Sequence, residues 1–561
     1  MPHFRSNENP MFRSKFSEDI FKHKYAHHGC ETWSALANVL VDDVCQDYMT
    51  TDEKDELKRM VTDLKFIPGG RYLYYAGRQN KFFNNCYLLR AEEDTREDWA
   101  NLSWKAESCL MTGGGIGVDY SVYREEGRVL NGTGGLSSGP IPKMQMINEI
   151  GRRVMQGGSR RSAIYASLNW QHPDVTQFLA AKNWYEMPVG NTGFTVGQVK
   201  EQDFNYIAPL DMTNISVNYD TAWLTNYWKT GEVGEVFRTN VRQALSTAEP
   251  GFSFNFFDKE NETLRNACTE VTSEDDSDVC NLGSINMGRI DSLEEFTQIV
   301  ELGTKFLLCG TLRAKLPYSK VYETREKNRR LGLGLMGMHE WLIKKGYRYE
   351  VTPELHQWLG IYKGISDSVS RDFADAMSVS RPVANRAIAP TGSIGILAGT
   401  STGVEPIFAV SYKRRYLKGQ NRWHYQYVVD SAAQEIIDVH GVDPNNIESA
   451  LDLAQDYKRR MAFQADVQDY VDMSISSTIN IPTWGSKLNN EDTVDDFADT
   501  LASYAHRLRG FTVYPDGCRG GQPLTSVPYS EAVDKLGEEF EESVETHDIC
   551  DITQHGGSCG V

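Results

Sequence analysis

Between residues 91 and 524 the sequence alternates short apolar runs and glycine-rich turns with amphipathic helical stretches, and this alternation limits the fold more than any other feature. "IGVDYSVY", "SIGILAGT" and "DDFADTLASYAHRLRG" are examples. Strand-sized apolar runs interleaved with helical periods point to α/β architecture. Residues 1–90 read differently. Trp33, Leu36, Leu40 and Val44 recur at spacings of three or four through "ETWSALANVLVDDVC", which predicts a helical N-terminal region. From residue 525 to 561 the composition turns acidic, poor in large apolar residues and glycine-rich at its end, as expected of a flexible tail.

The 561 residues carry 58 Lys and Arg against 77 Asp and Glu, a net charge of −19. That balance argues against a nucleic-acid binder but leaves room for small phosphorylated ligands, which a few local donors can hold. The start, "MPHFRSNENPMFRSKF", lacks the apolar core of a signal peptide, and no apolar run has membrane-spanning length. A cytoplasmic protein is expected, with its ten cysteines mostly reduced. Ten is few for a disulfide scaffold of this size and enough for a redox site.

Several motifs invite over-reading. "GLGLMG" at 332–337 fits the dinucleotide fingerprint literally, but "REKNRRL" before it is no apolar strand. A glycine-rich helix packed against a neighbour is expected there. "MTGGGIGVDY" and "GTGGLSSGP" lack a P-loop ending and read as tight turns or ligand cradles. His23, His27, His28 and Cys30 read as exposed polar residues rather than a metal site. In the tail, His547, Cys550, His555 and Cys559 are spaced like a small zinc knuckle. With no basic residues around them, a redox-active Cys550/Cys559 pair is the preferred reading, and no bound metal is expected in the chain.

The chemistry concentrates in four stretches. "NACTE" spaces Asn266, Cys268 and Glu270 two apart, so that in an extended segment they would share one face. "NNCYLL" carries Asn85 and Cys86, and "VCNLGSINM" carries Cys280. "APTGSIGILAGTSTGVEP" offers Thr391, Gly392, Ser393 and Ile394, small residues and hydroxyls suited to binding phosphate through backbone N–H groups.

Taken in order, these stretches resemble the catalytic (large) subunit of ribonucleotide reductase. "GGSRRSAIYASLNWQHPD", "TNISVNYDTAW", "NRRLGLGLMGMHEWL" and "FTVYPDGCRGGQPL" extend the match over most of residues 65–525. The wording is closest to the compact phage and adenosylcobalamin-type branches. The resemblance implies a ten-stranded α/β barrel with a finger loop through its centre, "NACTE" at the loop's tip. It implies a thiyl radical on Cys268, Glu270 as general base, Asn266 holding the substrate hydroxyls, and Cys86 and Cys280 as the reducing pair. Asn85 and Thr391–Ile394 would bind substrate. Cys550 and Cys559 would pass electrons from thioredoxin or glutaredoxin to the barrel.

Arg160, Arg161 and Ser216 fall in the two stretches that match the family's effector loops, for a deoxynucleotide or ATP, at an expected homodimer interface. Overall inhibition by dATP through an N-terminal ATP cone is not expected, nor is a C-terminal glycyl radical. For the radical source, the preferred expectation is a separate ferritin-like metallo-subunit with Tyr514 as a relay. Against that, Tyr514 is followed by Pro515 where such enzymes carry a second tyrosine. Adenosylcobalamin is the alternative, and a non-catalytic nucleotide- or metal-binding regulator on the same fold is a remote one. Encoded by a phage, the protein would work in the host cytoplasm.

Overall fold

The structure is a computed structural model and describes residues 11–154, 162–203, 206–417, 422–518 and 524–543. The N-terminal region is helical, as the spacing of its apolar residues predicts. Helices α1 (Lys15–Lys24), α2 (Trp33–Cys45) and α3 (Thr51–Thr62) begin at Ser14, Thr32 and Thr50, whose side chains accept backbone N–H groups of the first turn. Trp33, Leu36, Leu40 and Val44 are fully buried. The Trp33 indole N–H donates to the Val61 carbonyl at 3.0 Å, satisfying its one polar group inside the core. A short strand, β1 (Phe66–Pro68), leads from this region towards the barrel.

The first half of the barrel is regular. Strands β2 (Cys86–Arg90), β3 (Gly115–Asp119), β4 (Ile164–Asn169), β5 (Thr213–Tyr219) and β6 (Gly251–Phe254) lie parallel in that order. β3 is buried along its whole length, as a parallel strand covered on both faces must be. The second half contains β7 (Asp278–Asn286) and β8 (Leu331–Met336), parallel to each other, with β7 antiparallel to both β1 and β2. It also contains β11 (Thr478–Ile481) and β12 (Gly510–Pro515), parallel to each other, with β12 antiparallel to β6.

Two irregular extended segments close the ring between β8 and β11. Leu331 and Leu333 donate backbone N–H groups to the carbonyls of Ala384 and Asn385 at 2.9 and 3.0 Å. Ile388 donates to Ser474 at 3.2 Å, Ser476 donates back to Ile388 at 2.8 Å, and the chain then enters β11. Segments 384–388 and 473–476 thus complete the expected ring. Buried Arg386 holds them in place through the Tyr470 carbonyl (2.8 Å), the Ser366 hydroxyl (2.6 Å) and the carboxylates of Asp367 and Asp472. Helices α4 (Leu293–Arg313) and α5 (Pro353–Ala376) belong to the helical layer outside the second half.

"GLGLMG" is the buried strand β8 and not the expected helix. Leucines and glycines in alternation suit a strand covered on both faces, and a Cβ at Gly334 would sit 2.7 Å from the Ala387 carbonyl. The C-terminal stretch also differs from the expected tail at its start. A hairpin, β9 (Ser411–Leu417) and β10 (Arg422–Val429), forms a four-stranded sheet with β13 (Leu524–Ser526) and β14 (Glu539–Ser543). Residues 524–526 and 539–543 are therefore built into a sheet: backbone pairing to an existing hairpin edge needs no apolar side chains, which is why composition did not reveal it. Cys550 and Cys559 lie outside the described residues.

Candidate active site

The finger loop leaves β6, enters the barrel and returns to β7. At its base Leu264–Arg265 pairs antiparallel with Thr272–Ser273. At its tip Thr269 adopts φ +71°, and its N–H donates to the Asn266 carbonyl at 3.0 Å. "NACTE" is therefore a tight turn, not the extended segment that its spacing allows. The Asn266 carboxamide braces the turn by accepting the Val271 N–H at 2.9 Å.

Glycine lets this loop thread the barrel. An ideal Cβ at Gly117 of β3 would sit 1.7 Å from the Arg265 carbonyl, and one at Gly115 would meet the Ala267 Cβ at 3.2 Å. Side chains here would expel the finger. The glycines in "GGGIGVD" that read as a turn or cradle are thus the bed of the finger.

The loop tip bears Asn266, Cys268 and Glu270, and Cys86 reaches it from β2. Asn266 Nδ2 donates to Cys86 Sγ at 3.2 Å. Asn266 and Glu270 are buried, whereas Cys268 is partly exposed. Cys86 opens β2, and the backbone register sets it opposite Cys280 of β7. Directly opposed residues of an antiparallel pair have Cα atoms roughly 4.5–5.5 Å apart, inside the range a disulfide spans. Burial pushes the Glu270 carboxyl up to about 7, and the neighbouring Asn266 amide offsets this only in part. A carboxyl poised near neutrality suits a general base.

Gly510, Thr512 and Tyr514 alternate along β12 towards the lumen, while Phe511 and Val513 are buried on its outer face. The Thr512 hydroxyl donates to the Ser477 carbonyl at 3.0 Å. Thr512 and Tyr514 are partly exposed. Tyr514 lies near Tyr185 and Cys518, and no second tyrosine follows it, because Pro515 ends β12.

Asn85 sits beside Cys86, with its carboxamide packed over Gly69 and its Oδ1 buried without a hydrogen-bond partner among the described residues. Thr391 adopts φ +51° and opens the helical turn Gly392–Ala398, which follows directly on segment 384–388. Its hydroxyl accepts the Gly403 N–H at 2.8 Å and folds the glycine-rich loop back on itself. Ser216 is a buried residue of β5 against the Tyr165 hydroxyl, which places it with the barrel interior and not on a surface loop. Arg160 and Arg161 lie outside the described residues, and the side chain of Cys280 is not described.

Sequence reading missed Ser474, whose N–H donates to the Glu270 carbonyl at 2.8 Å, and whose hydroxyl is buried without a partner among the described residues. It also missed Arg265. Only the glycine alternation in "GIGVD" could have signalled a close backbone approach. No group of three His, Cys, Asp or Glu that could hold a metal occurs among the described residues, and His27 instead contacts the Ala76 carbonyl at 3.0 Å. No described helix is long and apolar enough to cross a membrane.

Residues 84–206, 211–356 and 383–514 match the family described as "Ribonucleotide reductase, barrel domain". A vitamin B12-dependent ribonucleoside-diphosphate reductase of Mycobacterium tuberculosis is 28% identical over 544 residues, spanning 86% of this chain and 74% of its own length. A Mycobacterium phage D29 protein, provisionally named an adenosylcobalamin-dependent ribonucleoside-triphosphate reductase, is 25% identical over 87% of this chain and 90% of its own length. In structure, the chain resembles the alpha subunit of the Actinobacillus ureae class Id ribonucleotide reductase, with a TM-score of 0.70 at 15% identity over 91% of this chain and 98% of that one. That likeness speaks for the fold alone.

Proposed function

From the premise that the chain belongs to the ribonucleotide reductase barrel family as a catalytic subunit, we propose that it reduces ribonucleoside di- or triphosphates to 2′-deoxyribonucleotides with adenosylcobalamin as its radical source. The observation that carries the reaction is the hydrogen bond from Asn266 to Cys86 at the loop tip that also bears Cys268 and Glu270, with Cys86 register-paired with Cys280. Cys268 takes the 3′ hydrogen atom of the ribose, the S–H bond forming as the C–H bond breaks. Glu270 accepts the 3′ hydroxyl proton, and Asn266 holds the hydroxyls. Cys86 protonates the departing 2′ hydroxyl, which leaves as water. Cys86 and Cys280 then close to a disulfide, supplying two electrons and the hydrogen that C2′ gains, and Cys268 returns its hydrogen atom to C3′, leaving the radical on its sulfur. Asn85 and the Thr391–Ile394 turn take the substrate, its phosphates at the turn.

Relatives named as vitamin B12- or adenosylcobalamin-dependent support the cobalamin reading over the partner metallo-subunit expected from sequence. The lone Tyr514 before Pro515 favours it too, since a tyrosine pair is missing at that point. The site is compatible with such a group: Cys268 is partly exposed, as are Thr512 and Tyr514 of β12. When bound, adenosylcobalamin would supply the radical that oxidises Cys268. A homodimer also belongs to this reading. Trp104, Met111 and Met146 expose large apolar surfaces on and just beyond helices Arg96–Leu110 and Pro140–Arg153, the latter running on to the sequence of Arg160 and Arg161. Nucleotide effectors would bind nearby, and the Cys550/Cys559 pair would exchange with thioredoxin or glutaredoxin.

The test is to assay purified protein with adenosylcobalamin, a dithiol reductant and each of the two phosphorylation classes of substrate, with no second subunit. Deoxynucleotide formation, abolished in Cys268→Ser, is expected. Activity that appears only when a metallo-subunit is added would overturn the cobalamin assignment.

A further inference from the structure

One buried charge in the barrel interior takes no part in that chemistry. Arg265, immediately before Asn266, is 1% exposed. Its guanidinium donates to the Asn255 Oδ1 at 2.7 Å, to the Leu264 and Arg509 carbonyls at 3.2 Å each, and to the Glu262 carbonyl. Among the described residues no carboxylate accepts from it directly. Burial and the neighbouring Arg509 pull its pKa down to about 9, which leaves it charged at neutral pH. An apolar side chain would fill this place without the desolvation cost of a guanidinium. What the guanidinium adds is a rigid fork of donors with fixed directions.

Those directions matter. Asn255 follows β6 in the first half-barrel, and Arg509 precedes β12 in the second. The finger's return strand is tied to the same point, because Arg509 donates to Glu262 at 2.9 Å and Glu262 accepts the Thr272 hydroxyl at 2.8 Å. Both strands of the finger are thus fixed at the base, one residue from the amide that contacts Cys86.

We propose that Arg265 is a positioning residue for the reaction: it sets the height and angle of the finger in the barrel, and so the distance from Cys268 to the 3′ hydrogen of the nucleotide. This rests on the reading of Cys268 as the group that abstracts that hydrogen. Misplacement of a reacting atom by about 1 Å costs on the order of 100-fold in rate.

The test uses the full chain with adenosylcobalamin and compares Arg265→Met, Arg265→Lys and Asn255→Ala with the parent. Readouts are kcat, KM, the 3′-deuterium isotope effect and the melting temperature. For Arg265→Met we expect kcat to fall about 100-fold, KM to stay within about threefold, and the isotope effect to rise as hydrogen abstraction becomes limiting. Arg265→Lys should recover about tenfold of the loss, because it restores the charge but not the fork. Should Arg265→Met fail to fold, Asn255→Ala, which removes one acceptor, serves alone with an expected loss of about tenfold. A parental kcat and isotope effect in the folded variants would overturn the proposal, as would a loss of activity that only follows the unfolded fraction. Cys268→Ser is run in parallel. If it is active, the radical reading falls; if it is dead while Arg265→Met is fully active, only the positioning role falls.

Discussion

The two half-barrels meet the same demand in different ways. In the first, β2 to β6 are continuous parallel strands, and the ladder alone keeps them in register. In the second, segments 384–388 and 473–476 have too few ladder bonds, and side chains do the work. The Asp472 carboxylate accepts the backbone N–H groups of Asn385 and Arg386 at 2.7 and 3.2 Å, and Arg386 spans the gap. The regular half supplies what must not move: Cys86 and the glycine bed of the finger. The irregular half supplies loop ends where strands break off, among them the Thr391 turn and Ser474 beneath Glu270. Each half also contains one glycine with a carbonyl pressed against it, Gly117 against Arg265 and Gly334 against Ala387. The first contact shapes the site, and the second only closes the wall.

That contrast can be broken by substitution. Gly117→Ala should have the largest effect, because a Cβ 1.7 Å from a carbonyl cannot be relieved by a side-chain rotation. We expect turnover to fall by on the order of 100-fold or more, with about 1–3 kcal/mol lost in denaturant unfolding. Gly334→Ala should mirror it with the opposite emphasis: a stability loss of about 1–2 kcal/mol by the same measurement, and kcat within about threefold of the parent. Equal losses of activity in the two variants would erase the distinction between the halves.

The mildest probe is Glu270, whose carbonyl ties the finger to Ser474 in the second half. Its carboxyl titrates near 7 in the fold against 4.5 as an ordinary glutamate. As the base, it should make kcat/KM rise with pH through about 7 and level off above, and Glu270→Gln should be slow and flat across that range. Stability runs the other way. The native state holds this proton more tightly, so the group's contribution is fully present below pH 4.5 and is lost as pH rises through about 7. Above that, Glu270→Gln should be more stable than the parent by roughly 1–3 kcal/mol, and below pH 4.5 no more stable, as read from melting curves.

Much of the protein could be read without coordinates. Trp33, Leu36, Leu40 and Val44 announced a helix because burial of one helical face demands that spacing, and all four are buried. The ordered cysteine motifs announced the family, because their sequence order along the chain matches its barrel domain. Local pattern failed where burial on both faces removes any period. β8 passed for a helix for that reason, and β14 passed for tail because edge pairing draws on backbone groups.

The sequence by itself thus determined the α/β alternation and the helical start, since propensity is a local property, and through its ordered motifs the resemblance to the family. Only the tertiary structure decided that Cys86 faces Cys280, that Arg265 anchors the finger through Asn255 and Arg509, and that Glu270 titrates near neutrality. Register, long-range hydrogen bonds and desolvation arise between segments far apart in the chain, so no window of residues contains them.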